Sequence, residues 1–113
     1  MVADQLDDVF MALSDPARRS MLTHLSAGEL TVGALAKPLN LSLPGALKHL
    51  RSLERAGLVD TQKRGRTRYV RGREETMRDA SAWMQSTASN WKSALDRFEK
   101  VLMQEETGAA PRD

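Results

Sequence analysis

Apolar residues recur along most of this chain at three- and four-residue intervals, the spacing of helices buried on one face. Leu6, Val9, Phe10 and Leu13 share one side of a first predicted helix, about residues 4–13. Asp15-Pro16 then supplies a cap and a first helical residue. The second helix, about 16–26, packs Ala17, Met21, Leu22 and Leu25 and ends near Gly28. Thr31 is placed to cap a short third helix over Val32, Leu35 and Ala36, which closes at Pro38-Leu39-Asn40. A fourth helix runs from Ser42 as N-cap, with Pro44 in its first turn, to Gly57 as the left-handed residue after its end. Leu43, Ala46, Leu50 and Leu53 form its inward face. Its outward face carries Pro44, Gly45, Lys48, Arg51, Ser52 and Arg55, with Leu47 and His49 on the borders.

Beyond Gly57 the pattern changes. Thr61, Thr67, Tyr69 and Val70 are good strand formers, and they fall on two arms, about 58–63 and 67–72. The tip is Lys63-Arg64-Gly65-Arg66, where Gly65 supplies the positive φ of a tight turn. A two-stranded hairpin is not stable by itself, so it must lean on the helices. Thr76, with Asp79 three residues on, is expected to cap a last helix over about 77–105. Met77, Ala80, Met84, Thr87/Ala88, Trp91, Leu95, Phe98 and Leu102 make an apolar stripe along it. At 1.5 Å per residue such a helix is roughly 40 Å long, more than a core this small can cover. An apolar seam of that length implies a partner helix. The expected dimer surface is Leu6, Val9 and Phe10 on the first helix with Met77, Met84, Trp91, Leu95, Phe98 and Leu102 on the last.

The fold class expected is mainly α with a small β-hairpin, and residues 1–103 form the domain, with 104–113 a disordered tail. A length of 113 residues suits one domain. No apolar run approaches the ~20 residues of a membrane span. Met1–Asp8 is acidic, so no secretory signal is expected. The absence of cysteine excludes disulfides and thiolate metal sites and fits a cytoplasmic protein.

Charge changes the picture more than composition does. The net charge is +2, yet residues 48–73 hold nine Lys/Arg against Glu54 and Asp60, a local +7 that leaves −5 for the remainder. A basic patch on a near-neutral chain points to a polyanion at one face. Two helices joined by a short turn, the second cationic outside, make a helix-turn-helix candidate. A helix entering a DNA major groove tip-first needs slim residues near base edges and cations near phosphates. Ser42, Pro44, Gly45, Lys48 and His49 are the candidates for the groove. Arg51, Arg55, Lys63, Arg64, Arg66 and Arg68 are candidates for phosphates. The competing explanations are a solvated helix and a hairpin whose Lys and Arg protect a sheet edge; the hairpin carries more cations than edge protection needs.

At this point the chain resembles the ArsR-type (ArsR/SmtB) winged helix-turn-helix repressors of bacteria. Phe10-Met11-Ala12-Leu13-Ser14-Asp15-Pro16-Ala17-Arg18-Arg19 is similar to that family's "ALsdptR" opening. Glu29-Leu30-Thr31-Val32-Gly33-Ala34-Leu35-Ala36 is similar to its "e-l-t-v-g-e-L-A" helix. Ser42-Leu43-Pro44, Lys48-His49-Leu50-Arg51, Leu53-Glu54 and Ala56-Gly57-Leu58-Val59 match its "slpavSkHLrvLeeAGLV" region, and the wing Lys63–Tyr69 fits as well. The likeness covers roughly residues 9–71 by motif and 72–102 by general character. Two positions depart from the pattern. Leu47 stands where the family has Ser, so it either contacts a thymine methyl or packs inward. Gly72 stands near a usual leucine.

The resemblance also raises metal sensing. The family's best-known site is a Cys-x-Cys pair on the third helix, and here Thr31 and Gly33 occupy those places, neither a soft-metal ligand. A second site uses Asp and His on paired C-terminal helices, but no histidine follows His49. Asp96 and Glu99 share a face as ordinary surface charge. No metal or other cofactor is expected. Nor is an enzyme: there is no Gly-rich phosphate loop, nucleophile elbow or cysteine. Trp83 and Trp91 either line a ligand cavity or fill a dimer core. The expected function is a cytoplasmic, homodimeric, metal-independent repressor that occludes a double-stranded DNA operator. The alternatives are release by a small-molecule or metal effector, and a winged-helix protein-interaction module.

Overall fold

A computed structural model of the chain describes residues 3–107, in two compact units, residues 3–80 and 81–107. The first contains α1 (Ala3–Leu13), α2 (Pro16–Leu25), β1 (Leu30–Thr31), α3 (Val32–Ala36), a 3-10 turn (Lys37–Leu39), α4 (Leu43–Arg55), β2 (Val59–Arg64) and β3 (Thr67–Gly72). It ends with the opening turns of α5 (Glu74–Thr107).

Local chemistry starts and stops these elements as the residue types dictate. Asp15 caps α2 by accepting the Arg18 N–H at 3.0 Å. Thr31 caps α3 through the Ala34 N–H at 3.1 Å, and Ser42 caps α4 through the Gly45 N–H at 3.1 Å. After α4, Gly57 takes φ +76°. Its N–H bonds to Glu54 O and the Leu58 N–H bonds to Leu53 O, both at 2.9 Å, the paired bonds of a Schellman stop. Between α3 and α4, Asn40 is left-handed at φ 55°, and the Leu41 N–H closes the turn on Ala36 O at 3.1 Å.

The core collects one face from each element: Val9 and Ala12, Met21 and Leu25, Val32 and Leu35, Ala46, Leu50 and Leu53, then Leu58, Val59 and Val70. Two expectations about it change. Leu43, assigned to the inward face of α4, is 57 % exposed. Helix side chains tilt toward the N-terminus, so the first residue of α4 projects past the core. Conversely Val9, expected at a dimer surface, is 0 % exposed in the single chain. It belongs to the internal core and is not available to a partner. Leu6 and Phe10 are half-buried.

The hairpin is part of a three-stranded antiparallel sheet in the order β1-β3-β2. β2 and β3 pair from Val59 opposite Gly72 to Arg64 opposite Thr67, and Gly65 takes φ +63° in the two-residue turn. β1 adds the unpredicted edge, Leu30 opposite Val70 and Thr31 opposite Tyr69. The sheet therefore joins the hairpin to the residues that open α3.

α5 begins at Glu74, ahead of the expected cap. Thr76 lies inside the helix, buried, and its hydroxyl donates to Gly57 O at 2.6 Å. It tethers the start of α5 to the end of α4 instead of capping. In the second unit, residues 81–107 are helical throughout. Residues 104–107 of the expected tail are thus helix, and 108–113 lie outside the described residues. Along this unit Met84, Trp91, Leu95, Phe98 and Leu102 are all exposed. No helix among the described residues is long and apolar enough to cross a membrane.

Candidate nucleic-acid interface

The site is built on α4 and the β2–β3 wing. Packing Ala46, Leu50 and Leu53 inward turns Lys48, Arg51 and Arg55 outward, and all three are exposed. Pro44 is exposed and Gly45 half-buried in the first turn. A Cβ on Gly45 would stand 3.2 Å from Ser42 Oγ, so glycine both slims the tip and spares the capping bond.

A relay of hydrogen bonds links the wing to α4. Arg68 donates to Thr61 Oγ1 at 3.2 Å, and Thr61 Oγ1 donates to Glu54 at 2.8 Å. Leu47, half-buried against the core, lines a hollow of about 160 Å³ at this junction with Leu50, Arg51, Glu54, Thr61 and Arg68. Of the two fates open to Leu47, inward packing is the one its burial supports.

The expected cations are not equivalent. Arg64 donates two bonds to the Glu29 carboxylate, at 2.8 and 3.0 Å, and another to Gln62 at 3.0 Å. Its guanidinium also lies 4.6 Å from the centre of the Tyr69 ring. Arg64 thus braces the wing against the start of β1, with its charge compensated. Among the described residues, the side chains of Lys48, Arg51, Arg55, Lys63 and Arg66 have no hydrogen-bond or ion-pair partner. An array of unpaired cations on one helix and an adjoining wing has the charge to attract an anion.

His49 faces α2. Its Nδ1 is 3.4 Å from Arg18 Nη1 and 3.8 Å from Asp15 Oδ2. Arg18 in turn donates to Ala12 O at 2.7 Å and Met11 O at 3.0 Å, the open end of α1. The Asp15-Arg18-His49 cluster therefore fixes the α1–α2 corner to α4. The Arg18 N–H bond, helped by the nearby His49 and Arg18 charges, holds the Asp15 carboxyl below the usual carboxylate range despite partial burial. In the sequence Arg18 stands only inside the run that opens α2, with no periodicity or spacing that marks a role for it. Its signal was the Asp15-Pro16-Ala17-Arg18 run directly after a helix end. Among the described residues, no group of three His, Cys, Asp or Glu is placed to hold a metal ion.

Residues 13–62 match a helix-turn-helix domain family. The chain is 33% identical over 79 residues to the transcriptional repressor SdpR of Bacillus subtilis, covering 70% of this chain and 88% of the relative. It is 39% identical to an ArsR family transcriptional regulator of known crystal structure, with a TM-score of 0.76 over 82% of this chain and 96% of the other. A homodimeric winged helix-turn-helix DNA-binding domain from Mycobacterium bovis, solved by NMR, superposes with a TM-score of 0.63 at 27% identity, covering 80% of this chain and 84% of that one. The segment that matches the helix-turn-helix family takes in α3 and α4 and reaches into β2, the first arm of the wing. The chain belongs to the ArsR-type family of winged helix-turn-helix transcriptional regulators.

Proposed function

We propose that this regulator is a homodimeric, metal-independent repressor that acts by occluding its operator. The observation that carries the DNA contact is the set of unpaired cations Lys48, Arg51, Arg55, Lys63 and Arg66 beside a slim helix tip. In this reading Ser42, Pro44, Gly45 and Lys48 address base edges. Arg51, Arg55, Lys63 and Arg66 hold phosphates, with Arg68 beside them, and Arg64 and His49 hold the wing and helix in position. Base edges carry the sequence information while phosphate contacts set register.

The dimer is supported by the exposed apolar stripe Met77, Met84, Trp91, Leu95, Phe98 and Leu102 on α5, together with the half-buried Leu6 and Phe10 of α1. Two copies would set α4 into successive major grooves about 34 Å apart. Metal independence is supported by Thr31, whose hydroxyl caps α3, by Gly33, and by the lack of grouped ligands among the described residues. A cytoplasmic location follows from the same reading, since that is where a bacterial operator lies.

Genomic footprinting with the purified protein, followed by duplex titration on the recovered site, tests this. A protected two-half-site operator, strong salt dependence and indifference to Zn²⁺, Ni²⁺ and Co²⁺ are expected. A flat salt response would defeat the DNA contact. Stoichiometric metal binding with release from DNA would defeat metal independence alone.

A further inference from the structure

Leu43 occupies an unfavourable place for its side chain. It is the first residue of α4, and outside α5 it and Met11 are the exposed large apolar residues among those described. Leaving it in water forgoes the burial that stabilises Leu50 and Leu53 on the same helix. One turn on lies Leu47, and residues four apart on a helix share a face. Leu43 thus lies on the side of α4 that carries Leu47, which lines the hollow at the wing junction.

The rest of the tip offers little to hydrogen-bond a base. Pro44 and Gly45 carry no polar side chain, which leaves Lys48 and the Ser42 hydroxyl, whose oxygen accepts the Gly45 N–H while its proton stays free to donate, as the polar side chains of this end of the helix. An apolar tip matches one feature of the major-groove edge, the C5-methyl group of thymine, since the other groups there are donors and acceptors.

We propose that Leu43, backed by Leu47, reads a thymine methyl group in the major groove and sets the sequence preference of the protein. This rests on the DNA contact proposed above, and its failure is separable from that of the contact.

The test selects sites from a random duplex pool with the full chain, then replaces each thymine of the best site singly by deoxyuridine. That change deletes the methyl and keeps every donor and acceptor. At one or two thymines per half-site, affinity should fall about fourfold, the worth of one buried carbon, and elsewhere it should hold. Leu43→Ala removes a side chain already in solvent, so its melting temperature should match the parent. In that variant uracil should be silent at the Leu43 thymine. Leu43→Gln should shift preference there toward adenine, whose N6 and N7 suit an amide. Half-sites without thymine, tolerance of uracil everywhere, or a uracil penalty that Leu43→Ala leaves intact would each overturn the proposal while DNA binding stands. A pool from which no duplex is enriched would overturn the DNA contact, and the methyl contact with it.

Discussion

Arg66→Ala removes a wing cation with no partner among the described residues, whereas Arg64→Ala removes one that Glu29 already neutralises at 2.8 and 3.0 Å. The two variants should therefore part in their salt dependence. Each phosphate contact contributes about 0.9 to the slope of log affinity against log salt. With Arg51, Arg55, Lys63 and Arg66 available to phosphates on each of two protomers, about eight contacts give a slope near −7, a fall of roughly 10⁴ between about 50 and 200 mM salt. Arg66→Ala takes one contact from each protomer. Its slope should flatten by about 1.8, so its deficit against the parent shrinks about tenfold across that range. Arg64→Ala leaves Glu29 unpaired, which adds repulsion of its own, so the fair comparison is Arg64→Ala/Glu29→Gln. That pair of changes is neutral in net charge and should keep the parental slope. It should lower the melting temperature slightly, because an exposed ion pair and a ring contact are each worth about 0–1 kcal/mol. Fluorescence anisotropy on one operator duplex at four salt concentrations measures all three proteins. If the double variant flattens the slope as much as Arg66→Ala does, Arg64 abandons Glu29 on DNA, and the distinction between brace and contact is wrong.

Trp91→Glu sets a carboxylate on the proposed seam, at a side chain 68 % exposed in the single chain. The protomer should fold normally, while a buried unpaired charge costs the dimer several kcal/mol and operator affinity falls by orders of magnitude with the second half-site; light scattering that still shows a dimer with parental affinity would mean the seam lies elsewhere. Asp15 has its carboxyl lowered from 3.8, so its contribution to stability is full above that unfolded value and is lost as pH falls through the lower folded one. Asn caps helices as well as Asp does, so Asp15→Asn should keep the cap and lose this acid sensitivity; urea melts of the two proteins between about pH 5 and 2 should converge as pH falls, and parallel curves would argue against the shift. Gly57→Ala places a Cβ at φ +76° and 3.1 Å from Gln5 Nε2. A destabilisation of about 1–2 kcal/mol is expected, read as a lower urea midpoint, and an unchanged midpoint would show that the turn relaxes without cost.

Interactions closed within a few residues were legible from the sequence. The caps at Asp15, Thr31 and Ser42 and the left-handed turns at Gly57 and Gly65 depend on neighbours three to five positions away, and the residue types there leave few alternatives. The helix periods followed for the same reason, and so did the outward cations of α4. What the sequence could not resolve is which distant group meets which side chain. β1 is two residues long and exists because Leu30 and Thr31 meet Val70 and Tyr69, a pairing with no local pattern. Thr76 looks like a cap until Gly57 O is brought within 2.6 Å of it. Val9 and Phe10 are neighbours in one apolar pattern, but the packing of α1 buries the first fully and the second by half. Arg64 and Arg66 carry the same charge in the same turn, yet Glu29, 35 residues from Arg64, reaches one of them. Periodicity assigns a residue to a face of its own helix; whether anything covers that face, or compensates a charge on it, depends on elements far away in the chain, and only their packing decided it for Leu43, Val9 and Arg64.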